Sequence, residues 1–323
     1  MAVHSRAFNR LDFPHLLSLV SRIAALRWPQ MSHLHVGDVV WQFPGSQPKD
    51  NIRLWFEDDR LVGYAWFQPP DVLRFDVVPA LPSAADIRNE VLAWAEARRA
   101  LFPVHEPFYL NLQSMEQWSD HLLHPSISTN DAGRTLFCSA FEGDAAEIAF
   151  LEQNGFRATD HFEPFLTRSL ADLELIAPPP GVTVRHVVED DYTKRVEVHR
   201  AAWWPSLGFT MDRYLAIRAF APLFDAELDL IAENETGAFG CCAIGWTDEI
   251  SQTLFLEPFG THPEWRGTGT SRALLYEMFN RAKAKGMHNV RIYTTGFNHQ
   301  AISLYSSCGL SAQDRCRTFR KAC

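Results

Sequence analysis

The 323-residue sequence predicts a mixed α/β protein of two tandem units with one design, each an α+β arrangement around a mixed sheet. Three observations carry this expectation. The first is the proline run Ala177-Pro178-Pro179-Pro180-Gly181, which can neither continue a helix nor pair inside a sheet. It separates residues 1–176 from residues 182–323, two segments of ordinary domain length, with 177–181 as the linker. The second is an echo between the ends of the halves. Ala146-Glu-Ile-Ala-Phe-Leu-Glu-Gln-Asn-Gly-Phe156 matches Gln300-Ala-Ile-Ser-Leu-Tyr-Ser-Ser-Cys-Gly-Leu310, each a short helix stopped by a glycine and followed by an apolar residue. The third is a repeated order of elements.

That order starts with a hairpin. In the first half, Ile52 to Phe67 reads as two strands around the Asp58-Asp59 turn; in the second, Leu228 to Trp246 repeats it around Asn234-Glu-Thr-Gly237. A third strand follows in each half, Val72 to Val78 and Thr253 to Phe259, and then a helix, Asp86 to Arg99 and Gly269 to Lys285. The second of these helices puts Leu274, Met278 and Ala282 on one face, with Leu275 and Phe279 beside them. A further strand, Asn289 to Thr295, precedes the echoed short helix. The order hairpin, strand, helix, strand, short helix, strand implies a mixed sheet in each half.

Composition narrows the function classes. With 46% apolar residues the chain is not disordered, and 30 Lys+Arg against 39 Asp+Glu give a net charge of -9, which argues against a non-specific nucleic-acid or anionic-membrane binder. A local anion site remains compatible with that charge. Residues 1–10 show no leader pattern, and the apolar run Leu16 to Leu26 carries Arg22 and is too short to span a bilayer. Six cysteines in a chain of this length are no disulfide framework, and the adjacent Cys241 and Cys242 cannot form a CxxC pair. A cytoplasmic protein without a metal is the expectation. His33-Leu-His35 lacks a matching ligand set and reads as a strand with two histidines on one face.

The chemically informative segment is Leu256-Glu-Pro-Phe-Gly-Thr-His-Pro-Glu-Trp-Arg-Gly-Thr-Gly-Thr-Ser-Arg-Ala-Leu-Leu275. A strand ends, a glycine-bearing turn follows, and a long helix begins at Arg266-Gly-Thr-Gly-Thr-Ser271. Such a turn offers backbone N–H groups at the positive end of a helix, a site suited to a pyrophosphate. Gly267 and Gly269 allow close approach, and Arg266, Thr268, Thr270 and Ser271 can add contacts. No Walker A string is present, and the third glycine of a dinucleotide fingerprint is missing.

These residues resemble the GNAT acyltransferase superfamily, whose hallmark Arg/Gln-x-x-Gly-x-Gly/Ala reads here Arg266-Gly-Thr-Gly269-Thr-Ser271, with serine in the last small position. Thr261-His-Pro263 before it, and Asn298-x-x-Ala301-x-x-x-Tyr305-x-x-x-Gly309 after it, are similar to that superfamily too. The resemblance covers about Val182 to the C-terminus. It implies that acetyl-CoA is the donor, with its pyrophosphate on the turn. Backbone groups of Phe259, Gly260 and Thr261 would hold the pantetheine, and Asn298 would contact its arm. Tyr305 stands where the resemblance puts the acid that protonates the leaving thiolate. Glu257, just before the turn, is the candidate base, with an ordinary solvent-facing strand residue as the alternative. His262 is a second titratable group nearby, and reads better as a turn residue.

The first half lacks the corresponding groups. After Val78-Pro79 comes Ala80-Leu-Pro-Ser-Ala-Ala-Asp86, with no glycine and no arginine, and Leu151 occupies the place of Tyr305. It reads as a degenerate GNAT-like unit that is structural or shapes the substrate pocket, a layout resembling tandem members such as mycothiol synthase. Trp203 and Trp204 would wall the acceptor site in this family, and core packing is an equal alternative. The expectation is therefore an N-acetyltransferase that moves an acetyl group from acetyl-CoA to a primary amine of a small molecule or peptide by direct attack. A covalent route through Cys308 is disfavoured, because that cysteine lies at a helix end without a clear base. A non-catalytic acyl-CoA-binding sensor and a transferase using a longer acyl donor are the alternatives. The identity of the amine and the oligomeric state stay open.

Overall fold

The first half opens with strand β1 (Val3–Ala7) and helices α1 (Phe13–Arg27), α2 (Val36–Gln42) and α3 (Pro48–Asn51). Strands β2 (Ile52–Glu57), β3 (Arg60–Gln68) and β4 (Val72–Val77) follow, then α4 (Ala84–Ala100), β5 (Thr135–Phe141), α5 (Ala145–Gln153) and β6 (Arg157–Ser169). The second half runs β7 (Val182–His186), α6 (Tyr192–Ala202), α7 (Met211–Arg218), β8 (Asp229–Asn234), β9 (Phe239–Asp248) and β10 (Thr253–Thr261). It continues with α8 (Thr270–Ala284), β11 (Asn289–Tyr293), α9 (His299–Ser307) and β12 (Ser311–Ala322). This computed structural model describes residues 3–43, 48–102, 134–174, 176–204, 208–220 and 223–323.

Local chemistry accounts for the repeated elements. The first hairpin turns at Asp58 and Asp59, both with positive φ, as a tight hairpin requires. Both echoed helices carry side-chain caps: Asp144 Oδ1 accepts from the Glu147 N–H at 2.9 Å, and Asn298 Oδ1 from the Ala301 N–H at 3.1 Å. Both end on a left-handed glycine, Gly155 at φ 84° and Gly309 at φ 79°.

The tandem α/β reading holds, and the expected separate sheet in each half gives way to one shared sheet. Twelve strands run continuously in the order β1-β2-β3-β4-β5-β12-β6-β11-β10-β9-β8-β7. The halves exchange their last strands across the middle. β12 of the second half lies between β5 and β6, while β6 of the first half lies between β12 and β11. A strand edge needs a partner for its N–H and C=O groups, and each half supplies the strand that covers the other's edge.

Helices cover both faces. On one, Leu254 and Leu256 of β10 pack with Leu274, Leu275, Met278 and Phe279 of α8. On the other, Phe255 and Trp246 pack with Val196 of α6, Tyr214 and Ile217 of α7, and Val40 of α2. The period-two alternation of β10 thus feeds two cores, and α2 from the first half joins the second. Beneath α6, buried Asp229 accepts from Arg195 Nε at 3.0 Å, Arg218 Nη1 at 3.1 Å and the Tyr214 hydroxyl at 2.5 Å.

Candidate active site

The site begins where two parallel strands part. β10 and β11 pair only through Thr253, Leu254 and Phe255 against Asn289, Val290 and Arg291. Beyond that point β10 keeps its antiparallel partner β9, with a register shift between Leu256 and Phe259. The shift is a bulge that re-aims the strand, and Glu257 and the cis-linked Pro258 occupy it. The Trp246 indole N–H donates to the Glu257 carbonyl at 2.6 Å and fixes the backbone there. After the bulge, Gly260 pairs with Cys242, and the His262 N–H donates to the Gly240 carbonyl at 2.9 Å. Strand alternation therefore turns the main-chain groups of Phe259 and Thr261 away from β9 and towards the gap, and those of Gly260 towards β9.

Glu257 lies half-buried at this opening. Burial pushes its carboxyl up to about 8; the carboxylates of Asp38 and Glu163 push the same way, and the guanidiniums of Arg74 and Arg213 oppose them. Asp38 itself is buried, held by the Tyr293 hydroxyl at 2.6 Å and the His35 N–H at 2.7 Å. Tyr305 comes from α9 to the same place. It is buried, its ring centroid is 6.1 Å from that of Phe259, and Glu257 and Cys241 are among its charged or titratable neighbours. Burial raises its phenol far above the ordinary value, so it keeps its proton. Asn298, expected at the cofactor arm, caps α9 through Oδ1 and donates from Nδ2 to Thr294 Oγ1 at 3.2 Å.

The turn after β10 is a short 3-10 segment, Pro263–Trp265, with His262 as its cap; His262 Nδ1 accepts from the Glu264 N–H at 3.3 Å. Gly267 and Gly269 follow with φ of 78° and 86°, a left-handed backbone that favours glycine. A Cβ on Gly267 would meet nothing within 4 Å, so the turn faces open space. α8 then starts with no side-chain cap hydrogen bond. The hydroxyls expected to reach an anion are committed inside the turn: Thr268 to the Trp265 carbonyl at 2.8 Å and Thr270 at 2.9 Å, and Ser271 to Thr261 at 2.7 Å. Arg266 is exposed, with Nη2 at 3.4 Å from the Ala202 carbonyl. An open, positive-φ turn at an uncapped helix end fits a pyrophosphate through main-chain N–H groups and Arg266, with the hydroxyls stiffening the loop.

Trp203 and Trp204 part company. Trp203 lies over Gly260, where an added Cβ would come within 2.1 Å of its ring, and stacks on His199 with centroids 4.2 Å apart. Trp204 is 56% exposed. His199 is squeezed between Trp203 and Phe209, and burial drives its imidazole down to about 2, so it stays neutral. The cysteines of this region are held as thiols. Burial raises Cys308, and Cys241 is pushed up to about 12 while donating to the Gly260 carbonyl at 3.1 Å.

In the first half, Leu151 is fully buried in the core at the position matching Tyr305. The expected histidine strand is a correction: residues 31–35 are irregular and His35 caps α2, accepting from the Gly37 N–H at 3.1 Å. The His35-x-x-Asp38 pair forms a reciprocal cap, which outweighs strand pairing for so short a segment. His33 instead faces Glu147 at 3.5 Å. Sequence reasoning missed Asp38, Arg74 and Glu163, all of the first half, and Arg213. No local motif marks them, since they reach Glu257 only through the shared sheet and the helices α2 and α7. Among the described residues no group of three or more His, Cys, Asp or Glu side chains could hold a metal ion, and no helix is long and apolar enough to cross a membrane.

The comparisons agree with this geometry. A family model described as acetyltransferase (GNAT) family matches residues 193–310. A mycothiol acetyltransferase of Kineococcus radiotolerans is 33% identical over 146 residues, 44% of this chain and 46% of the relative. One of Saccharopolyspora erythraea is 28% identical over 144 residues, 43% of this chain and 46% of the relative. The chain thus spans just under half the length of these relatives. A GCN5-related N-acetyltransferase from Sphaerobacter thermophilus superposes with a TM-score of 0.63 at 20% identity, covering 99% of this chain and 95% of that one. A tandem GNAT protein from the clavulanic acid biosynthesis pathway gives 0.65 at 14% identity, covering 99% and 98%. These two likenesses establish a common fold over both halves. Residues 193–310 of the second half thus match the acetyltransferase (GNAT) family model, and the fold of the two halves is shared with a tandem GNAT protein.

Proposed function

We propose that the protein is an N-acetyltransferase that uses acetyl-CoA and acts at the gap between β10 and β11, with the second half as the catalytic unit. The observation that carries this reading is the convergence of Glu257, Tyr305 and the outward main-chain groups of Phe259 and Thr261 at that gap, one turn away from the open glycine loop. Acetyl-CoA bound there supplies an acetyl group activated as a thioester. The N–H groups of Gly267, Gly269 and the first turn of α8 hold the pyrophosphate, together with Arg266. Main-chain groups of Phe259 and Thr261 align the pantetheine and stabilise the charge that develops on the carbonyl oxygen. The Glu257 carboxylate accepts the proton of the incoming amine. The Tyr305 hydroxyl gives its proton to the departing sulfur, and its raised pKa keeps that proton available at every working pH. Trp203 bounds the acceptor side of Gly260.

The test combines calorimetric titration of acetyl-CoA with an assay of coenzyme A release across an amine library, on the wild type and on Tyr305→Phe. Binding in both proteins, with turnover lowered roughly 10²-fold or more in the variant, is expected. Binding without release from any amine would instead identify an acyl-CoA sensor.

A further inference from the structure

The wall beside Glu257 holds charges of both signs, and one of them has no counterion among the described residues. Arg213 of α7 places its guanidinium over the ring of Trp41, a residue of α2, at 5.0 Å, and donates from Nη2 to the Trp41 carbonyl at 3.4 Å. It is half-buried, its Nε has no hydrogen-bond partner, and among the described residues no carboxylate lies at ion-pair distance. Three arginines packed nearby on α6, α7 and β7 do have one: Arg195 and Arg218 share Asp229, and Arg185 pairs with Asp191 and Glu233, while Arg200 of α6 is exposed to solvent. Arg213 is also continuous with the catalytic strand. Trp41 lies 5.9 Å from His199, His199 stacks on Trp203, and Trp203 covers Gly260. Mutual electrostatic influence between Arg213 and Glu257 places the two groups in one neighbourhood.

A guanidinium pre-oriented by an aromatic face, with donors to spare, binds carboxylate or phosphate in a forked geometry. Glu163, and Glu257 once it is ionised, supply the opposite sign nearby. Resting on the acyl-transfer reading above, we infer that the acceptor is an amphoteric amine whose carboxylate or phosphate is bound by Arg213 over Trp41 while its amino group is presented to Glu257. The first half then has a task in substrate choice, because Trp41 and Glu163 both belong to it.

The experiment measures coenzyme A release by the full chain on paired acceptors. Amino acids and O-phosphoethanolamine are compared with alkylamines and ethanolamine, which keep the amine and lack the anion. Wild-type kcat/KM is expected to favour the anionic member roughly 10- to 100-fold, the worth of one charge-assisted contact. Arg213→Gln should erase that preference through KM, with the acetyl-CoA affinity unchanged, and Arg213→Lys should restore part of it. Equal use of both members, or an equal loss on both in Arg213→Gln as a merely structural role would give, overturns the inference and leaves the acyl-transfer reading standing. Failure to bind acetyl-CoA, or release from no amine of either set, overturns that reading and this inference with it.

Discussion

The indole of Trp203 occupies the space in which a side chain on Gly260 would stand: an added Cβ would fall 2.1 Å from the ring and 2.9 Å from Ala202 Cβ. The glycine lets α6 close onto β10, and the contact fixes one wall of the gap. Gly260→Ala should lower both Tm and acetyl transfer by forcing α6 away. Truncating the ring in the double variant Gly260→Ala/Trp203→Ala should recover part of the lost stability relative to the single glycine change. A double-mutant cycle by thermal denaturation measures this coupling, and strictly additive effects would dismiss it.

With Glu257 as the proposed base, its raised pKa predicts the pH dependence of acetyl transfer. A carboxyl raised to about 8 is mostly neutral at pH 7, so its base form grows as pH rises, and kcat/KM should climb through about pH 8. Glu257→Gln should cut turnover roughly 10²- to 10⁴-fold and flatten the profile. Linkage gives a second readout. The fold prefers the neutral acid, and that stabilisation is complete below the ordinary carboxylate range and lost as pH rises through about 8. The glutamine variant should therefore gain Tm relative to the wild type at pH 9 and match it at pH 4.

Asp229 is fully buried and answers Arg195, Arg218 and Tyr214 at once. Arg195 is fully buried too, with both terminal nitrogens otherwise unpartnered. Asp229→Ala leaves that charge uncompensated and should cost about 3–5 kcal/mol in urea unfolding. A loss under 1 kcal/mol would mean that water or another carboxylate takes over.

The strand exchange predicts how the halves behave apart. Residues 182–323 alone would lack β6, which separates β11 from β12, and would expose the edges of both. They should aggregate or stay unfolded when produced alone, and become soluble when produced together with residues 1–176. A monomeric 182–323 fragment with native-like circular dichroism would show that the exchange is dispensable.

Much of the candidate site could be seen in the linear sequence because the groups proposed to hold a phosphate lie close together along the chain. Gly267 and Gly269 adopt the left-handed backbone that their type permits, and Asn298, Tyr305 and Gly309 fall on one short helix and its cap. The hydroxyls were legible as residues and not as contacts, since Thr268 and Thr270 pair with each other in the turn and Ser271 pairs with Thr261 at the end of β10. His33 and His35 misled, because alternation over three residues weighs less than the cap that His35 and Asp38 form together.

The sequence by itself determined the tandem design, the order of strands and helices, and the glycine turn, for these depend on residue type and spacing within a few tens of residues. Only the tertiary structure decided that the halves share one sheet, because strand partners are chosen by edges that meet in space. It also brought Asp38, Arg74 and Glu163 of the first half to Glu257 of the second. Electrostatic coupling depends on distance and burial, and neither is written in the order of residues along the chain.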